Sequence, residues 1–127
     1  MKQEDKNLLL KELCTRQACG VKVQYNGKIY TIDYVSSEYK EVKLDIPDNY
    51  TVGISEVKPY LRSMSNMTDE EYKKYTELRQ DISDKLKDWK CANLIDWLNA
   101  NYFDHRGLIP MGLALEAPDG MYNLKQL

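Results

Sequence analysis

One histidine, one phenylalanine, three cysteines and four prolines in 127 residues leave this chain short of the groups that build most catalytic and metal centres. Cys14, Cys19 and Cys91 form no CxxC pair, and His105 has no second histidine beside it to complete a tetrahedral zinc set, so neither a metal nor a cofactor is expected. No apolar run approaches the roughly 18 residues that span a bilayer. No charged segment followed by an apolar one marks secretion. These absences predict a reduced, cytoplasmic protein. The glycines spell neither GxGxxG nor a phosphate-binding loop.

Charge of one sign is also missing. The net charge is −2. Within residues 21–66, Lys22, Lys28, Lys40, Lys43, Lys58 and Arg62 are matched by Asp33, Glu38, Glu41, Asp45, Asp48 and Glu56. A nucleic-acid binder should show a basic stripe. Without one, nucleic acid is not the expected partner, and binding to any partner should depend little on salt.

What the chain does have is tyrosine, ten against the single phenylalanine. Each ring combines apolar area with a hydroxyl that needs a partner or water, which suits half-exposed core edges and interface anchors alike. With 43% hydrophobic and 30% charged residues the composition is that of one globular domain over residues 1–127.

The hydrophobic period divides that domain into three parts. Over residues 1–20, Glu4 and Asp5 precede Leu8, Leu9, Leu10 and Leu13, predicting a helix that ends near Gly20. Over 21–66 the period changes to two. Asn26-Gly27 signals a two-residue hairpin that places Tyr25 opposite Lys28, Val23 opposite Tyr30 and Val21 opposite Ile32. Val42, Leu44 and Ile46 form a third strand stopped at Pro47-Asp48-Asn49. Val52 and Ile54 mark a fourth, and Pro59-Tyr60-Leu61 suits an edge strand. Over 67–127, Thr68 and Glu71 form a capping box for a helix striped by Tyr72, Tyr75, Leu78, Ile82, Leu86 and Trp89, which Ser83-Asp84 divides or kinks. A last helix over about Ala92–Tyr102 buries Leu94, Ile95, Trp97 and Leu98, and Gly107 and Pro110 end helical structure. An apolar tail follows, in which Leu113-Ala-Leu115 has the pattern to join the sheet. The fold class is therefore α+β: an N-terminal helix, a small bent antiparallel sheet of four or five strands resembling an SH3-like partial barrel, and two C-terminal helices on one shared core.

Candidate chemistry is sparse. Asp104-His105-Arg106, with Glu116 downstream, is the one place where acid, base and cation are neighbours. Catalysis needs the base within about 3 Å of its proton and oriented by a carboxylate. The structural alternative has Asp104 and His105 capping the preceding helix and Arg106 pairing with an acid. Cys91, before the last helix, has the position to be a depressed-pKa thiol but reads more simply as a core cysteine. For binding, Tyr25, Tyr30, Tyr60 and Arg62 are the candidates, as sheet aromatics and an edge cation.

Three segments carry a resemblance: the Gly20-Val-Lys-Val hairpin with its Asn26-Gly27 turn, Val57-Lys-Pro-Tyr-Leu-Arg-Ser-Met-Ser-Asn-Met-Thr68, and Ile95-Asp-Trp-Leu-Asn through Phe103-Asp-His-Arg-Gly-Leu-Ile109 with Gly112-Leu-Ala-Leu-Glu-Ala117. Together they resemble small proteins of gut bacterial anaerobes and their prophages, a group with no assigned activity. The resemblance implies a prophage or mobile-element setting and nothing about chemistry. The expected function is a non-enzymatic protein-interaction module. The alternatives are a small enzyme using His105 with Asp104 or Glu116, and a nucleic-acid-associated SH3-like domain.

Overall fold

The computed structural model describes residues 2–45, 51–82 and 88–122. Helix α1 (Gln3–Arg16) carries Glu4 and Asp5 in its first turn, where they favour the positive dipole end. A single 3-10 turn at Gln17–Cys19 leads to Gly20, whose φ of 70° lies in the left-handed region and redirects the chain into the sheet. The buried face of α1 is Leu9, Glu12, Leu13 and Arg16, so a salt pair shares the stripe with two leucines. Leu8 and Leu10 pack beside it, half-buried.

Strands β1 (Lys22–Tyr25) and β2 (Lys28–Ser36) meet at Asn26-Gly27, both at positive φ as a type I′ turn requires. The register is the one the turn predicts, with Tyr25 opposite Lys28 and Val23 opposite Tyr30. Ile32 N–H donates to the Val21 carbonyl at 3.0 Å. Val21, Val23 and Ile32 are buried, with Tyr30 packed against them.

Strand β2 changes partner along its length. Residues 28–31 pair with β1, and Ile32–Ser36 pair with β3 (Glu41–Leu44) across a register shift between Ile32 and Tyr34. That irregularity bends the strand and lets one strand serve two halves of the sheet. Strand β4 (Thr51–Gly53) pairs with β3, β5 (Lys58–Leu61) with β1, and β6 (Leu115–Glu116) runs parallel to β5. The order is β4-β3-β2-β1-β5-β6.

Two expectations change. The sheet has six strands and is mixed and open, because Leu115 and Glu116 from the apolar tail add a parallel strand that local patterning assigns only as an option. The strand around Pro59 is not an edge: β1 lies on one side and β6 on the other. Proline is tolerated there because the parallel pairing begins at Tyr60, one residue beyond the missing N–H.

Helix α2 (Asp69–Ile82) starts with the expected capping box: Glu71 N–H donates to Thr68 Oγ1 at 3.1 Å, and Thr68 N–H to Glu71 Oε1 at 3.0 Å. Its inward face is Glu71, Tyr75 and Leu78, while Tyr72 is 63% exposed. The stripe is rotated from the expected one because Glu71 turns inward to reach Arg62. Helix α3 (Asp88–Ala100) buries Leu94 and Leu98 and half-buries Trp97, leaving Ile95 outside at 37% exposure.

Helix α3 ends at Ala100, close to the expected end near Tyr102. Tyr102 sits at φ 63°, Phe103 N–H donates to Leu98 C=O, and Tyr102 N–H to Asn99 C=O. This is a Schellman ending with tyrosine in the left-handed position where glycine is usual, and with Phe103 packed on Leu98 as its apolar closure.

The core is divided. Leu9 and Leu13 pack with Val21, Val23, Ile32, Val42, Leu44, Val52, Ile54, Val57 and Leu61 and with Leu108, Leu113 and Ala114 of the tail. Leu94, Leu98 and Phe103 form a second cluster with Met64, Met67, Tyr75, Leu78 and Trp97. The two helices therefore cover each other rather than the sheet. The expected end of the third strand at Ile46 and Pro47, the division at Ser83-Asp84, and the side chains of Ile82, Leu86, Trp89 and Cys91 lie outside the described residues.

Candidate functional site

The loop after α3 holds the acid–base triplet, and each of its members has a partner. Both Asp104 oxygens accept backbone N–H groups, from Leu108 at 2.7 Å and Ile109 at 2.9 Å. Asp104 thus caps the turn that follows rather than the helix that precedes. His105 Nε2 lies 2.8 Å from Asn99 Oδ1, which ties the loop back to α3. Burial lowers the His105 pKa, and the guanidinium groups of Arg16 and Arg106 push the same way against Glu12 and Asp104. The ring is held neutral.

Arg106 does pair with an acid, and that acid is Glu12 of α1, 2.9 Å from Arg106 Nε in an ion contact without hydrogen-bond alignment. Glu12 is fully buried and also accepts from Arg16 Nε, while Arg16 Nη2 donates to the Phe103 carbonyl. Arg16 Nη1 has no hydrogen-bond partner among the described residues. A buried carboxylate between two guanidiniums fixes the end of α1 to the loop after α3. Sequence reading missed it because charges on a leucine helix read as solvent-facing, and the Arg16 acceptor is 87 residues away.

Around Arg62 the polar groups are equally engaged. Its guanidinium makes two 2.7 Å hydrogen bonds to Glu71 and a third, of 3.2 Å, to the Asn101 carbonyl, and it stacks 4.3 Å over the Phe103 ring. A cavity of about 220 Å³ lies beside it, lined by Arg62, Asn66, Ala117, Pro118, Asp119, Gly120 and Tyr122. His105, Asp104 and Glu116 do not line it. Glu116 accepts from Asn66 Nδ2 at 3.2 Å.

Of the tyrosines proposed for binding, Tyr25 and Tyr30 lie half-buried on the core side with ring centroids 6.3 Å apart. Tyr60 is buried, its hydroxyl 3.4 Å from Gln24 Nε2. The more ordered aromatic feature is one that sequence reading did not single out. Tyr102 and Tyr122 stack at 3.7 Å with rings 6° from parallel. The Tyr102 hydroxyl donates to the Cys19 carbonyl. The Tyr122 hydroxyl accepts from Lys22 N–H at 2.9 Å and donates to the Tyr60 carbonyl at 2.7 Å, standing in for a ladder bond between β1 and β5. Burial raises both phenol pKa values, so both hydroxyls keep their protons.

Part of one face of the sheet remains open. Helix α1 and the tail residues Leu108, Leu113 and Ala114 cover the inner face. The outer face, by the paired registers, carries Lys22, Gln24, Ile29, Thr31, Lys58 and Tyr60 on one half and Tyr34, Glu41, Lys43 and Thr51 on the other. Ile29 is 52% and Tyr34 48% exposed. Lys43 pairs with Asp33 at 2.7 Å, and that bond raises the Lys43 pKa. The signal for this face was present in the hairpin: Ile29 is the apolar residue on the side opposite Val23 and Tyr30.

Cys14 and Cys19 are free thiols, and burial raises the Cys14 pKa, away from nucleophilic use. Among the described residues no group of His, Cys, Asp and Glu is placed to hold a metal ion, and no helix is long and apolar enough to cross a membrane. No protein-family model, curated protein or solved structure matches the chain.

Proposed function

We propose that this chain is a non-enzymatic protein-interaction module that contacts its partner through the open face of the sheet. The observation that carries the reading is the contrast between the two sets of candidates. His105, Asp104 and Glu116 are each engaged in hydrogen bonds, and none of them lines the cavity beside Arg62. Ile29 and Tyr34 stand half-exposed on the outer face of the sheet. Exposed apolar side chains rimmed by polar ones suit a docking surface.

The bend of β2 supports a likeness to SH3-like partial barrels, from which the parallel β6 departs. The reading includes a cytoplasmic setting, in which Cys14 and Cys19 stay reduced, and a prophage or mobile-element origin.

Cross-linking of the full chain to its partner in native cells, followed by peptide mapping, tests the proposal. Cross-links from Lys22, Lys43 and Lys58 support it. Cross-links confined to α2 and α3 overturn it. Loss of about 100-fold or more of an activity in folded His105→Ala, the order expected for a general acid or base, favours the enzyme reading instead.

A further inference from the structure

Helices α2 and α3 leave the rest of the chain and return to it at one place. Arg62, directly after β5, and Phe103 form an isolated parallel bridge. Arg62 N–H donates to the Tyr102 carbonyl at 2.7 Å, and Asp104 N–H to the Arg62 carbonyl at 2.8 Å. The helical pair is therefore an excursion whose two ends are hydrogen-bonded to each other, set in the sequence between the neighbouring strands β5 and β6.

The buried side of this excursion is sorted by polarity. Leu94 and Leu98 pack with Tyr75, Leu78 and Trp97 of the same pair, and no residue of their cluster belongs to the core of the sheet. Glu71, Asn99 and Asn101, the buried polar residues of the pair, lie where it meets the rest of the chain. Glu71 takes both prongs of Arg62, the Asn101 carbonyl accepts a third Arg62 hydrogen bond, and Asn99 Oδ1 meets His105. Asn66 adds a bond to Glu116, and α3 runs beside α1. Beyond the excursion, Phe103 supplies the apolar contact, packed in the helical cluster. Joints of this polar kind connect parts that move relative to one another.

Both legs of the excursion have irregular backbone. The outgoing leg is a 3-10 turn at Met64–Asn66, and the returning leg holds Tyr102 at φ 63°, a conformation that a non-glycine residue keeps only where its surroundings hold it. Hinges absorb backbone change at such element ends. We propose that α2 and α3 open as one body about the Arg62–Phe103 bridge while the sheet stays folded, with the Arg62–Glu71 pair as the latch. Opening frees the Arg62 guanidinium and uncovers the Phe103 ring, which is fully buried in the closed form. The motion requires no partner and does not depend on which face of the sheet is used for binding.

Native-state hydrogen exchange of the full chain, read amide by amide by NMR, tests this. The amides of Tyr72–Leu78 and Leu94–Leu98 should exchange through one shared opening, at least about tenfold faster than those of Val23, Ile32 and Val42. Ile32→Ala should speed the strand amides by about 30-fold or more and leave the helix amides within about twofold, because the sheet is intact in the open form. Val42→Ala serves in its place if that variant does not fold. Arg62→Met, which removes the latch from outside the helices, should speed the amides of α2 and α3 together by about tenfold or more. Arg62→Lys, which keeps the charge without the two-pronged geometry, is the milder second variant. Equal acceleration of strands and helices by Ile32→Ala would mean that the chain opens only as a whole, and would overturn the inference. So would acceleration of α2 alone, or of neither helix, by Arg62→Met.

Discussion

Arg62 and Glu71 face each other in a two-pronged ion pair, Nη1 to Oε2 and Nη2 to Oε1, both at 2.7 Å and both largely shielded from solvent. The same Glu71 closes the capping box of α2, so one carboxylate both starts a helix and fastens it to β5. Burial would raise the Glu71 pKa, but the hydrogen bonds from Arg62 and Thr68 outweigh it and hold the carboxyl below its ordinary value.

Because Glu71 is depressed in the folded state, its contribution is complete above the ordinary carboxylate range and is lost as pH falls through the folded value. Glu71→Gln keeps a capping-box residue but removes the charge. It should cost about 1–3 kcal/mol at neutral pH and progressively less in acid. Urea midpoints of both proteins across the acid range check this. A pH-independent difference would show that the charge is irrelevant.

For His105 the sign is that of a base kept neutral. Its folded pKa lies below its unfolded one, so the folded state binds fewer protons between them. The stability it contributes is present above the unfolded value, about 6.5, and is lost as pH falls through the folded value. His105→Gln, which can still bond Asn99, should flatten stability over that window. An unchanged pH profile would contradict the burial argument.

Replacing Glu12 alone by Leu should cost about 3–5 kcal/mol, since it leaves the buried Arg16 without its counter-ion. Glu12→Leu combined with Arg16→Met should cost far less than the two single changes added together. Thermal melts of the three variants decide it, and additivity would mean the pair is not coupled.

Tyr102 tests the helix ending. Tyr102→Phe removes the bond to the Cys19 carbonyl and should cost about 0.5–1.5 kcal/mol. Tyr102→Ala should be worse than Tyr102→Gly by roughly 1 kcal/mol, because alanine loses the ring and still bears the left-handed backbone. The reverse order in denaturant unfolding would show that the backbone there relaxes.

Ile32 and Leu98 belong to different clusters, so each change to Ala should cost about 2–5 kcal/mol and the double variant should be additive within roughly 0.5 kcal/mol. A larger coupling would mean that the two clusters unfold as one packed unit.

Where a short stretch of chain contains all the physics, sequence reading reaches the right answer. Asn26-Gly27 sets both the turn type and the register of β1 and β2, and Thr68 with Glu71 sets the start of α2. It falls short where a residue's partner comes from far along the chain. Pro59 looks like an edge residue until Leu115 arrives beside Tyr60, and Arg16 looks solvated until the Phe103 carbonyl meets it. Tyr72 and Ile95 carry the right spacing for burial, yet the faces of their helices are set by Glu71 and by the Leu94–Leu98 pair. The Arg62 site was legible as a cation on a strand, but its occupation by Glu71 was not.

The hydroxyl of Tyr122 joins Lys22 to Tyr60 across a sequence separation of 100 residues on one side. Strands β1 and β5 pair directly only at Val23–Pro59 and Gln24–Lys58, so this hydroxyl lengthens a short seam by one bridge. The β1–β2 hairpin rests on contacts a few residues apart and can form early, whereas that bridge closes loops of 62 and 100 residues and belongs to the slow, non-local part of folding.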